Sequence, residues 1–321
     1  MSAALPRWLS HRPPSAAVEI STRRVTAAVV AQQGGSYVLS GYAGETLPAG
    51  VVDAALNAPN IHDTAALTAT IRSVLDKLPA RPRRIALVLP DTIGKLSLLR
   101  FEKIPPNVQD LDQLIRWQVR KAVPFKIEDA QVAWVPGVSL PDGGREYVVT
   151  VARRDIVESY ERACEAAGAY PGIVDLATLN LMNAVLGADP RAAEAGDWLL
   201  VHVAPEYNTM AVIRGAEVIF FRTRPSERED DLADLVHQTA MYHEDRLGGG
   251  GFSRVVLAGA SLLGAEGAER LRRDLEARIG TRVEALDFRG AVALRDRIAA
   301  APELLDSLAP AIGVILRERV A

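Results

Sequence analysis

The sequence predicts an α/β protein built as two related halves, and three observations carry that expectation. Three short apolar runs, a helical stretch and a further apolar run follow one another twice, from about residue 16 and again from about residue 197. Each helical stretch leads into a continuous apolar run of the kind buried in a sheet covered on both faces. Over 321 residues, hydrophobic residues make up 49% and charged residues 24%, a globular usage with enough chain for two cores.

The net charge of −3 gives no field that implies nucleic acid or anionic lipid as a partner. Residues 1–16, with Pro6, Pro13 and Pro14, read as a loose leader. Arg7, His11 and Arg12 precede no apolar run, so no signal peptide is expected, and no stretch reaches the ~20 apolar residues of a membrane span. Such a chain is expected to be soluble and cytoplasmic, with any membrane association supplied by a partner. The single cysteine, Cys164, fits a reducing compartment. It shares a helical face with Ile156, Val157 and Tyr160, which reads as a core thiol rather than a nucleophile.

Runs at 16–20, 25–31 and 37–42, separated by polar turns at 21–24 and 32–36, form a β-meander signature. Residues 64–78 place Leu67, Ile71, Val74, Leu75 and Leu78 on one helical face, and 84–90 is the buried run that follows. The second set comprises runs at 198–203, 209–213 and 218–221, with turns at 204–208 and 214–215. A helix over 229–247, four glycines and a buried run at 254–258 complete it. Between the sets, 100–151 reads as an inserted subdomain: a strand at 97–101, a helix over 108–122 and paired strands at 130–136 and 146–151. Asp142, Gly143 and Gly144 make its hairpin turn. An amphipathic helix over 153–167 ends at Gly168, followed by a strand at 172–175 and a helix at 177–186. The first half is thus 17–99 with 152–186, and the second is 197–321, whose closing helix, 302–319, packs back on the first half.

Four stretches in this order resemble the PilM family, the actin-like cytoplasmic proteins of type IV pilus assembly. They are LIRWQVRKAVPFKIED from Leu114; the helix, Ala-Gly, Val-Asp strand and Leu-Asn helix of 153–184; TAMYHEDRLGGGGFSRVVLAG from Thr239; and LAPAIGVILR from Leu308. The resemblance covers 17–320 and implies the actin/Hsp70/FtsA fold. It also implies a site where ATP lies between two hairpin turns, with an acid near each turn positioning hydrated Mg²⁺.

Where the family's first turn typically reads Asp-Ile-Gly-Ser-Ser-Ser-Val-Lys, this chain has EISTRRVT from Glu19. The acid survives as Glu19, glycine becomes Ser21, Thr22 follows, and Arg23 and Arg24 enter the turn. These arginines read as solvated, or as partners for a phosphate. The second turn should read Asp-Ile-Gly followed by Ser/Thr; HVAPEYNT from His202 replaces its acid with His202 and its glycine with Ala204, while Pro205 removes a donor N–H. Asn208 and Thr209 occupy the following positions, Asp175 matches the interdomain Asp, and Gly259–Ala260 keeps one glycine where two are usual. A Cβ where φ > 0 is needed costs on the order of 1 kcal/mol, and a lost charge-assisted contact costs roughly 1.5–3 kcal/mol. ATP or ADP with Mg²⁺ is therefore expected to bind weakly or not at all, at a degenerate cleft.

Functional weight then falls on the insertion. In PilM proteins a groove between this subdomain and the first half receives the extended cytoplasmic N-terminal peptide of the inner-membrane protein PilN. Ile115, Trp117, Val119, Val123, Pro124 and Phe125 are the expected contact residues, with a core role for Trp117 and Phe125 as the alternative. The reading is a scaffold of the pilus assembly platform, docked through a PilN-like peptide, with self-association left open. An active ATPase of the same fold is one rival. An FtsA-type filament-forming membrane adaptor is the other, although the closing helix here reads as core. His237 and His243 read as solvated, 248–251 as a flexible linker, and no Ser/His/Asp or Cys/His set is evident. Service in pilus assembly, twitching or a related secretion system is not separable from the residues.

Overall fold

The computed structural model describes residues 14–141, 143–194, 196–226, 229–295 and 298–320. Most of the leader, and Asp142 of the hairpin turn, thus lie outside the described residues; Gly143 in that turn is left-handed, at φ +84°.

The first half opens with an antiparallel meander, β1 (Ala16–Ile20), β2 (Arg24–Gln33) and β3 (Ser36–Thr46). Helix α1 (Thr64–Asp76) follows, its first turn capped by Asp63, which accepts from the Ala66 N–H at 2.9 Å. The stripe Leu67, Ile71, Val74 and Leu75 is buried against the sheet. The chain returns as β4 (Arg84–Leu89), parallel to β1, with every residue after Arg84 buried.

The inserted subdomain is a three-stranded sheet of β5 (Gly94–Phe101), β6 (Ala130–Ser139) and β7 (Arg145–Arg153), ordered β5-β7-β6 and covered by α2 (Val108–Val119). It runs from 94 to 153, wider than 100–151, because cross-strand pairing continues to Gly94 opposite Ala152 and Ala130 opposite Arg153. Helix α3 (Arg154–Ala166), β8 (Tyr170–Leu176) parallel to β4, and α4 (Ala177–Ala188) return the chain to the first half.

The second half repeats the plan with β9 (Trp198–Val203), β10 (Tyr207–Arg214), β11 (Glu217–Pro225), α5 (Glu229–Leu247), β12 (Arg254–Ala258), α6 (Gly264–Ile279) and β13 (Val283–Ala285). Its strand order, β11-β10-β9-β12-β13, matches β3-β2-β1-β4-β8 position for position. The same two antiparallel and two parallel pairings recur. One strand crosses over: β14 (Val292–Leu294) pairs with β3, so the first sheet is completed from the 197–321 segment.

Helix α4 and the closing helix α7 (Pro302–Val320) lie between the two sheets. Ala177, Ala184, Ala309 and Ala311 join Leu200, Leu308 and Ile312 in one core drawn from both halves. The helices touch closely enough that a Cβ on Gly313 would stand 1.7 Å from the Asn180 carbonyl oxygen. Among the described residues, no helix is long and apolar enough to cross a membrane.

Candidate functional site

The two hairpin turns, Ser21–Arg24 after β1 and the Ala204–Glu206 turn after β9, face each other across a cleft of about 230 Å³. Its walls include Glu19, Ser21, Thr22, Arg23, Ala204 and Gly259, together with Arg24, His202, Glu206 and Asp306.

The first turn satisfies itself. The Ser21 hydroxyl donates to the Arg24 carbonyl at 3.0 Å and accepts from the Arg24 N–H at 3.1 Å, leaving little to offer a ligand. Thr22 and Arg23 instead reach across the cleft. The Thr22 hydroxyl donates to the Glu206 carboxylate, and Arg23 Nε donates to its other oxygen at 3.3 Å. Within the second turn, the Ala204 N–H closes on the Tyr207 carbonyl at 2.9 Å and Pro205 has no N–H.

Glu19 projects into the cleft with no hydrogen bond to its carboxylate among the described residues. Burial raises its pKa to about 6, against the opposing pull of Arg24 and His202. Gly259, φ +78°, is required by packing: a Cβ there would stand 2.0 Å from the Val203 carbonyl oxygen. Its N–H and that of Ser261 both donate to the Asp306 carboxylate, each at 3.0 Å. Ala260 is buried in the second half's core.

Asp91, absent from the residues singled out in the sequence, is a buried acid between the two halves. It follows β4 by two residues and accepts from the Thr178 N–H at 3.0 Å, the Thr178 hydroxyl and the Thr209 hydroxyl at 2.7 Å. His202 Nδ1 lies 2.8 Å from the Thr178 oxygen and 3.7 Å from Asp91, so imidazole reaches carboxylate through the hydroxyl. Burial alone would raise the Asp91 pKa, but the His202 and Thr178 interactions outweigh it and hold the group below its ordinary value. Thr209 thus ties the halves together from within β10, and Asn208 is a buried β10 residue facing away from the cleft; neither belongs to the turn, because cross-strand pairing starts at Asn208 opposite Val203.

Asp175 does not line the cleft. At the end of β8 it faces the groove beside the insertion, is raised by burial, and pairs with Arg317 at 3.5 Å. Glu206 and Asp306 hold the donors a phosphate would use, Glu19 adds a further acid, and no group of three or more metal-ligating side chains occurs among the described residues.

The insertion corrects the expected partner residues. Ile115, Val119 and Val123 are buried in its core with Leu111, Tyr147 and Val149, so they present no surface to a partner. Phe125 packs half-buried against that core, Pro124 is exposed, and Trp117 is 58% exposed beneath the Arg120 guanidinium, 5.5 Å from its ring centre. A cavity of about 340 Å³ does lie between the insertion and the first half, at the outer edges of β6 and β8, floored by α3 and lined by Gln131, Ala133, Arg154, Glu158 and Asp175. Both strands end their sheets, and that coincidence of two free edges appears only in three dimensions.

His243 is buried, not solvated. Its Nε2 lies 2.6 Å from Asp197, which also holds Arg214, and its ring stacks on Phe252 at 4.6 Å. The glycine stretch is held there by the Gly249 N–H, which donates to the His243 carbonyl at 3.1 Å. Cys164 is buried and its thiol is pushed up to about 12 by burial, which leaves it inert.

A family model described as type IV pilus assembly protein PilM matches residues 17–229. No curated protein matches the chain. Among solved structures, the chain is similar to one titled PilM-PilN type IV pilus biogenesis complex, at TM-score 0.80 and 18% identity over 96% of this chain and 99% of that one. It is also similar to a Bacteroides thetaiotaomicron protein of actin-like ATPase fold and unknown function (TM-score 0.49, 9% identity, covering 88% and 94%). A third likeness is to the ethanolamine utilization protein EutJ from Carboxydothermus hydrogenoformans (TM-score 0.49, 12% identity, covering 95% and 90%). The fold is actin-like.

Proposed function

From the premise that this chain belongs to the type IV pilus assembly protein PilM family, we propose that it is a scaffold of the inner-membrane assembly platform. It captures the extended cytoplasmic peptide of a PilN-like bitopic protein and works without nucleotide turnover. The observation that carries the reading is the groove between β6 and β8. It offers two unpaired strand edges to an extended chain, with apolar depth from Ile93 and Val157 and charge from Arg154 and Glu158. Main-chain pairing along either edge supplies affinity, and the side pockets supply selectivity. The likeness to a PilM-PilN complex supports this choice of partner. The self-satisfied first turn, Pro205 and His202 support a degenerate nucleotide cleft.

Calorimetric titration with synthetic N-terminal peptides of neighbouring bitopic proteins tests the proposal. Ala133 is exposed on β6, so Ala133→Arg fills the groove without disturbing a core and is expected to weaken peptide binding by at least tenfold. Equal binding by wild type and Ala133→Arg overturns the assignment of the groove.

A further inference from the structure

We infer that the anion seats of the cleft are filled by two carboxylates of the chain itself in place of a nucleotide: Glu206, which clasps the two halves, and Asp306, which ties α7 to the loop after β12. The inference rests on the reading of the cleft as degenerate and is independent of peptide capture.

Each carboxylate uses both oxygens, and each bridges elements far apart in sequence. Glu206, from the second half's turn, takes the Thr22 hydroxyl on one oxygen and Arg23 Nε, at 3.3 Å, on the other. A hydroxyl and a guanidinium converging from a hairpin turn are what a phosphate recruits. Asp306, on α7, takes the N–H groups of Gly259 and Ser261 at 3.0 Å each. Backbone N–H groups converging around a left-handed glycine form an anion-binding concavity, and here the anion is covalently part of the chain. With Glu19 lining the same cleft, a polyphosphate meets three acids and must displace two of them.

The contacts are unequal. Arg23 and Glu206 side chains are 71% and 41% exposed, so their ion pair contributes little in water. Thr22 is 9% exposed, and its hydrogen bond to the same carboxylate is better shielded. Asp306 joins α7 to the loop after β12, so the second seat also fixes the helix that lies between the sheets.

Amide hydrogen exchange on the full chain tests the clasp, with and without millimolar Mg·ATP, in wild type, Glu206→Ala and Asp306→Asn. Wild-type exchange over 19–26, 202–209 and 257–262 is expected to be unchanged by Mg·ATP. Glu206→Ala is expected to speed exchange in the first two segments about tenfold, and Asp306→Asn in the third, with α1 unchanged in both as the folding control. Protection of wild type by Mg·ATP at these segments overturns both the clasp and the degenerate reading. No ATP effect together with unaltered exchange in Glu206→Ala overturns the clasp alone. Glu206 sits at the surface, so its variant remains decisive where Asp306→Asn does not fold.

Discussion

The two halves share strand order, pairing direction and turn placement, yet the penultimate residues of their first strands have opposite chemistry. Glu19 closes β1 as an acid without a hydrogen bond among the described residues, its pKa raised to about 6 by burial. His202 closes β9 as an imidazole tied through Thr178 to Asp91. The positions after the inner parallel strands differ likewise: Pro90 leads to the buried Asp91, whereas Gly259 leads to a loop held by Asp306. The comparison separates what the fold requires from what it tolerates. Backbone pairing preserves the strands in both halves, while the side chains at the mouth diverge.

The largest blow to this arrangement is expected from Asp91→Ala. It leaves the Thr178 and Thr209 groups buried without their shared acceptor, and His202 without the nearby charge, and should cost on the order of 3–5 kcal/mol in urea unfolding. A loss below about 1 kcal/mol would mean that Asp91 does not join the halves. Next comes Gly259→Ala, which forces a Cβ against the Val203 carbonyl at positive φ and should cost about 2–4 kcal/mol by the same measurement.

Glu19→Gln has the opposite sign. The folded pKa of about 6 exceeds the ordinary 4.5, so the contribution of Glu19 to folding stability is fullest below pH 4.5 and declines as pH rises through 6. Removing the charge should therefore stabilise the protein by up to about 2 kcal/mol above pH 6. Melting temperatures of wild type and variant should diverge between pH 4.5 and 6 and then run parallel; a constant gap across that range would place Glu19 in water. Arg23→Ala should cost less than about 1 kcal/mol, because its ion pair is exposed.

Much of the fold was legible because it is local. Apolar runs marked β1, β4, β9 and β12, and the spacing of Leu67, Ile71, Val74 and Leu75 marked α1. The residues that decide the site's chemistry were not, because they meet at long range. Glu206 acts on Thr22 across 184 positions, and Asp91 on Thr209 across 118. His243 gave no sign of burial because its partner Asp197 lies 46 residues earlier on another element. At 113–129 the apolar residues were visible, but helical periodicity alone could not say which faced a partner. The structure turns Ile115 and Val119 inward and leaves Trp117 outside.

The crossover of β14 onto β3 bears on how the molecule is made. The first sheet contains strands from residue 16 onward, but its outer edge waits for residues 292–294, and α4 waits for α7 to cover it. A nascent chain emerging from the ribosome thus carries an unfinished first half until residues 292–294 and α7 have been translated. Three residues that belong by sequence to one half and by pairing to the other thus make the folding of the first half depend on the second.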